Sequence, residues 1–141
     1  MELIVRLART DADRAAALDV RRRVFIDEQH VDAALERDEH DDTSEHLVAI
    51  ADGRVVGTAR YRRTEHGVKL ERVAVLAELR GCGVGSALVR HAIGVLPAGM
   101  PLYVHAQQSA LGFWERMTFR AEGPEFHEAG IPHRIMRRAS P

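Results

Sequence analysis

Between residues 80 and 86 the chain reads Arg-Gly-Cys-Gly-Val-Gly-Ser. Gly81, Gly83 and Gly85 follow an apolar, β-branched run, Val73-Ala74-Val75-Leu76, and open a stretch in which Val84, Leu88, His91 and Val95 recur at helical spacing. Strand, glycine turn and helix start together make a place to hold an anion. Glycine lets the backbone approach a ligand closely, and the first N–H groups of a helix have no acceptor within it. Arg80 adds a guanidinium suited to phosphate. These features point to a pyrophosphate cradle. A glycine-rich loop that only turns the chain is the competing reading of the same seven residues.

Spacing separates the possible ligands. A Walker-type phosphate loop needs Lys and then Ser or Thr after its last glycine, whereas Gly85 is followed by Ser86 and Ala87. A dinucleotide fingerprint needs a glycine where Ser86 stands and an acid about 20 residues later, and Pro101 to His105 contains none. What remains is Arg-Gly-x-Gly-x-Gly after a strand. Cys82, in the middle of it, reads as a small residue between glycines more readily than as a nucleophile, because no His and acid flank it in sequence.

The elements that must position this loop follow from periodicity. Glu2 to Ala8 alternates and predicts a first strand, and Thr10 caps a helix with Asp11 and Asp13 in its first turn. Leu18, Val24 and Phe25 give that helix its apolar positions. Arg21-Arg22-Arg23 reads as a solvated run near its end. The acids of Glu36 to Asp42 lack core periodicity and read as an exposed loop or short helix. A meander follows: His46 to Ala51, a turn at Asp52-Gly53, Arg54 to Arg62, a turn at Glu65-His66-Gly67, and Val68 to Leu76. Gly57 allows a bend in the second of these strands. A helix from about Gly83 to Leu96 crosses over to a strand at Pro101–Ala106, which permits parallel pairing with the strand before the glycine loop. A short helix at Ser109–Met117 precedes two strands, the first bent at Gly123-Pro124 and the second at Ile131–Arg137. The predicted order, β-α-(α)-β-β-β-α-β-α-β-β, is a mixed α/β fold in one domain spanning 1–141.

Composition bounds the function. The 141 residues are 45% hydrophobic, enough for a core, and 29% charged with a net charge of −1. No basic excess argues for nucleic acid, and no apolar run approaches a membrane span. The N-terminus lacks the features of a signal peptide. One cysteine excludes an internal disulfide and suits a reducing cytoplasm. Lys69 is the only lysine. The eight histidines show no spacing typical of a metal site, so no metal is expected.

Arg80, Gly83 and Gly85 resemble the acetyl-CoA pyrophosphate motif of the GNAT superfamily of N-acetyltransferases, and the element order is also that of the GNAT fold. Val24-Phe25-Ile26-Asp27-Glu28-Gln29, Glu71-Arg72-Val73-Ala74-Val75, His105-Ala106-Gln107, Phe113 to Phe119 and Gly130-Ile131-Pro132-His133 look like the ElaA-type branch of that superfamily. The resemblance covers nearly the whole chain. It implies transfer of an acetyl group from acetyl-CoA to an amine of a small molecule or peptide, with a splay between the strands at 68–76 and 101–106. A non-catalytic acyl-CoA-binding module is the alternative, and a homodimer is compatible.

The resemblance places the cofactor on Arg80, Gly81, Cys82, Gly83, Val84, Gly85 and Ser86, with the pantetheine arm against the backbone of Val73, Ala74 and Val75 and beside Gln107 and Trp114. A protonated amine must lose a proton before attack. Glu71 is the first candidate to receive it. Alternation would turn Glu71, Val73 and Val75 to one face, although Glu71 could instead pair with Arg60 or Arg62 across the sheet. Glu28, an acid beside an apolar helix end, is the second candidate. Phe25, Gln29, His105 and His133 are expected to line the acceptor pocket. Trp114 stands where many members of the family carry a Tyr that protonates the departing thiolate. An indole N–H is no practical acid, so Trp114 is expected to cover the arm by packing. Thr118 stands where glycine is usual.

Overall fold

The computed structural model describes residues 1–138, so the last three residues of the expected domain lie outside the described residues. In chain order the elements are β1 (Leu3–Leu7), α1 (Asp11–Arg21), α2 (Ala33–Glu36), β2 (Glu45–Ala51), β3 (Arg54–Thr64), β4 (Gly67–Val75), α3 (Val84–Val95), β5 (Leu102–Gln107), α4 (Leu111–Arg116), β6 (Phe119–Glu128) and β7 (Ile131–Arg138). The predicted order is reproduced. The Thr10 hydroxyl accepts from the Asp13 N–H at 3.0 Å and caps α1. Beyond Arg21 the helix does not stop. It widens into π turns over Arg22–Glu28, where the Gln29 N–H donates to the Val24 carbonyl five residues back at 3.2 Å. That widening was not visible in the sequence. None of the described helices is long and apolar enough to cross a membrane.

Seven strands form one sheet in the order β1-β2-β3-β4-β5-β7-β6. Neighbours are antiparallel except β4 and β5, joined through α3. That parallel pair is matched only at Val68–Leu102 and Lys69–Tyr103, after which the two strands part. This is the splay that the resemblance implies. The helices cover both faces. A Cβ added to Gly57 would lie 2.8 Å from Val84 Cγ1 and 3.2 Å from Leu88 Cδ1, so glycine lets α3 sit directly on the sheet. The register of β2 against β3 also shifts beside Gly57, which accounts for the expected bend. On the opposite face, Arg21 of α1 reaches Asp41, a carboxylate that also pairs with Arg60 of β3.

A bulge in β4 corrects the expected alternation. Arg60 faces Glu71 and Thr58 faces Ala74, so Arg72 and Val73 together oppose the single residue Ala59. Arg72 takes a φ of 55°. The extra residue resets the side-chain parity, as bulges do. Glu71 therefore shares its face with Ala74, not with Val73 and Val75.

Two charge readings also change. Arg21 is 1% exposed, not solvated. It donates from Nε to Glu36 at 2.8 Å and from Nη1 to Asp41 at 2.7 Å. The acidic segment is tied down rather than free. Glu36 is buried, and Asp38 and Asp41 accept from Arg60 at 2.7 and 2.8 Å. Arg72 bonds the Glu36 carbonyl at 3.1 Å and Asp38 at 3.2 Å. A carboxylate whose partners lie 15 or more residues away has no local signature, which is why periodicity misread these acids.

β6 bends where Gly123-Pro124 predicted, with a register shift between Glu122 and Phe126. At the α4–β6 turn Thr118 keeps the backbone shape that glycine would give, with a φ of 72°. A β-branched residue there carries left-handed strain of about 1–2 kcal/mol. Thr118→Gly is expected to raise stability by about 0.5–1 kcal/mol, the strain relieved less the greater freedom of glycine when unfolded. Chemical denaturation checks this, and an unchanged or lower midpoint would show that the turn is not strained.

Candidate active site

The strand splay opens into a cavity of about 1020 Å³. One wall is the bulged end of β4 and the glycine loop. Val73, Ala74, Val75, Arg80, Gly81, Gly83, Val84, Gly85 and Ser86 line it, together with Trp114 from α4. Phe25 and Gln29, from the π-wound end of the first helix, line it as well. Glu71, His105, Gln107 and His133 complete the set. Two candidates stay off the lining, Glu28 and Cys82.

The glycine loop has the form of an anion site. Gly81 and Gly83 have φ of 78° and 85°, the left-handed region, and a Cβ at either would meet nothing within 4 Å. Gly83 is the N-cap of α3 and no side chain caps it. The first amides of a 12-residue helix thus remain open to an external acceptor. Residues 80–83 are exposed, as a cradle for a soluble ligand requires. The residues present therefore fit a diphosphate.

Arg80 has other partners in this structure. Its Nη1 and Nη2 each donate to Glu28 at 2.7 Å, and its Nε and Nη2 reach the Val75 carbonyl at 3.3 and 3.1 Å. Glu28 is thereby engaged with the loop arginine, on the glycine-loop side of the cavity. Trp114 is buried against Phe113 and Phe119, with ring centroids 5.1 and 5.0 Å away at steep angles. Gln107 donates to Gln29 at 2.8 Å, closing a bridge between β5 and the π segment.

Glu71 adopts the pairing alternative. Its Oε1 accepts from Arg60 Nη2 at 2.6 Å and from Arg62 Nε at 2.6 Å, and Lys69 Nζ lies 3.1 Å from Oε2. Burial alone would raise its pKa. The Arg62 hydrogen bond and the charges of Lys69 and Arg60 overcome that and hold it down at about 2. A carboxylate held this firmly ionised is a weak proton acceptor at neutral pH.

Across the cavity the structure assembles a group that sequence reasoning missed. Glu128 Oε1 lies 3.0 Å from His105 Nδ1, and its Oε2 lies 3.8 Å from His133 Nε2. His133 Nδ1 donates to the Ile131 carbonyl at 2.6 Å, and the Phe126 ring stacks on His133 at 5.9 Å. The His105 hydrogen bond lowers the Glu128 pKa against the effect of burial. Glu128 carried one available signal. It ends a strand before the two-residue turn Ala129-Gly130, both at positive φ, and so faces the start of β7. Its approach to His105 depends on β7 lying between β5 and β6, which the chain order does not announce.

The family model described as "Acetyltransferase (GNAT) domain" matches residues 8–140. The chain is 39% identical over 132 residues to the protein YyaT of Bacillus subtilis (strain 168), covering 90% of this chain and 89% of that one. An acyl-CoA N-acyltransferase from Pseudomonas aeruginosa superposes with a TM-score of 0.84 at 29% identity, over 98% of this chain and 99% of that chain. Escherichia coli ElaA superposes with a TM-score of 0.83 at 25% identity, over the same shares of the two chains.

Two outcomes test the charges. Glu71 has a folded pKa of about 2 against an ordinary value of 4.5. Its depressed pKa contributes stability in full above pH 4.5, and that contribution is lost as pH falls toward 2. Glu71→Gln should flatten this part of the stability–pH curve as well as lower stability at neutral pH, and an unchanged slope would mean that Glu71 is not held ionised. Glu28→Gln should tighten acetyl-CoA binding by up to about fivefold, because an exposed ion pair worth no more than about 1 kcal/mol no longer competes for Arg80. Calorimetric titration reads this, and weaker binding would show that Glu28 supports the loop rather than competing with it.

Proposed function

The chain belongs to the GNAT acetyltransferase family, and from that premise we propose that it moves the acetyl group of acetyl-CoA to a primary amine of a small molecule or peptide, by direct attack within a ternary complex. The observation that carries this reading is the parting of β4 and β5 beyond Lys69 and Tyr103, which opens one cavity to the glycine loop on one side and to a histidine–carboxylate group on the other. Acetyl-CoA, when bound, supplies the acetyl group already activated as a thioester.

The residues divide the work. The loop amides from 81 to 86, with Arg80, hold the diphosphate. The exposed edge of β4 at Val73 to Val75 holds the arm, and Trp114 packs against it. Phe25 and Gln29 line the acceptor approach. Glu128, ionised, accepts a hydrogen bond from His105 Nδ1 and so leaves Nε2 with the lone pair that takes the proton of the ammonium, directly or through a water. His133, fixed by its own bond to the Ile131 carbonyl, walls the same end. Glu71 and Glu28 were the sequence's candidates for this proton. Their ion pairs argue for other work: Glu71 orders the cations of β3 and β4, and Glu28 competes with phosphate for Arg80. With no Tyr in place of Trp114, the thiolate takes its proton from water. A thiol of pKa about 8.5 leaves adequately near neutral pH.

The test is thermal shift with acetyl-CoA followed by thiol release over a broad panel of amines. Stabilisation with turnover supports the transferase reading, whereas stabilisation without turnover on any amine assigns an acyl-CoA-binding module. In His105→Gln, kcat/KM is expected to fall by about 10²-fold or more and its acid limb to disappear, while acetyl-CoA binding is retained. Survival of the acid limb would remove His105 from the proton path.

A further inference from the structure

The acceptor end of the cavity has charge left over. On the face of β3 and β4 turned away from α3, five cations (Arg21, Arg60, Arg62, Lys69 and Arg72) meet four carboxylates (Glu36, Asp38, Asp41 and Glu71). Two of the arginines are fully used. Arg21 gives all three nitrogens to Glu36 and Asp41, and Arg60 gives all three to Glu71, Asp38 and Asp41. Arg62 is not. It gives Nε to Glu71 and, among the described residues, its Nη1 and Nη2 have no hydrogen-bond partner. Beside it Lys69 has only the Glu71 contact, and that carboxylate is already shared with two arginines.

Both side chains line the cavity, and both are largely withdrawn from water, at 21% and 12% exposed. Cationic N–H groups in that setting gain from an anionic acceptor more than surface groups do. The opposite wall carries the opposite sign, Glu128 with His105. Lys69 is in register with Tyr103, and His105 follows two residues along the same face of β5. A strand spacing of about 4.8 Å and a rise of about 3.3 Å per residue put the two backbones about 8 Å apart. That is the scale of a small molecule with a charge at each end.

Resting on the transferase reading above, we infer that the acceptor is an amine that also carries a carboxylate, an amino-acid-like zwitterion. The carboxylate sits on the Arg62 fork and Lys69, and the amine points to His105 and Glu128. Planar guanidinium matches carboxylate in a way that ammonium alone does not, so Arg62 sets the preference and Lys69 adds charge.

The experiment compares α- and ω-amino acids with their carboxamides as acceptors for the full chain, by thiol release with saturating acetyl-CoA. The acids are expected to exceed their amides by about tenfold or more in kcat/KM, the worth of a hydrogen bond to a charged group. Arg62→Gln should erase that difference by raising KM for the acid, with the KM for acetyl-CoA unmoved. The wild-type chain needs no folding control: a short aliphatic carboxylate without an amine should inhibit competitively against the amino acid. Amides used as well as acids, or acids and amides losing equally in Arg62→Gln, overturn the inference while leaving the transferase reading intact. If no amine turns over, thermal shift with the aliphatic carboxylate decides. Stabilisation of the wild type and not of Arg62→Gln keeps the anion subsite although the transferase reading fails, and stabilisation of neither ends both.

Discussion

Arg72, at a φ of 55°, places one residue too many in β4, and the site is arranged around that bulge. β4 pairs with β5 only at Val68 and Lys69, so the two strands have parted by the time the chain reaches the bulge, and from there on β4 keeps β3 alone. Left-handed backbone at a non-glycine residue costs about 1–2 kcal/mol, so something must hold it. The Arg72 side chain does so by bonding the Glu36 carbonyl and Asp38, which belong to the segment linking the first helix to the sheet. The same contacts draw that segment over the cavity. The strained backbone at Arg72 and this wall of the cavity are thus tied together through one side chain.

The buried charges serve this arrangement more than they serve stability. Removing cations and carboxylates from water costs several kcal/mol each, and pairing only returns that loss. What the network supplies is position. Arg60 joins β3 to Asp38 and Asp41 and to Glu71 in β4 through a single guanidinium, so the loop, the meander and the bulge share one anchor. Glu71 is the piece whose role changes most. As an isolated acid on a strand it suggests proton transfer. Surrounded by three cations it becomes a fixed negative charge.

The two ends of the cavity are built on different principles. The glycine-loop end uses backbone: helix-start amides, two left-handed glycines and no capping side chain. It depends on local geometry and is therefore compact in sequence. The opposite end uses side chains from β4, β5, β6 and β7 and from the π-wound end of the first helix. Acyl transfer from one donor to different acceptors suits such a division, because loops and side chains can change at one end while the helix mouth stays as it is.

The sequence alone determined the elements and their order, the caps and turns, the crossover and the anion loop. Each rests on interactions within about ten residues: the Thr10 cap, the Asp52-Gly53 turn, the Gly123-Pro124 bend, the run from Val73 to Ser86. Tertiary structure alone decided which charges meet. That Arg21 is buried, that Arg80 holds Glu28, that Glu71 is held ionised by cations of the neighbouring strand and that His105 finds Glu128 all depend on partners on other elements, 9 to 52 residues apart. Hydrophobic periodicity encodes which face of an element is buried, but a charged residue looks the same in sequence whether it faces water or its partner. Only strand order and register, with one bulge to shift them, settle that difference.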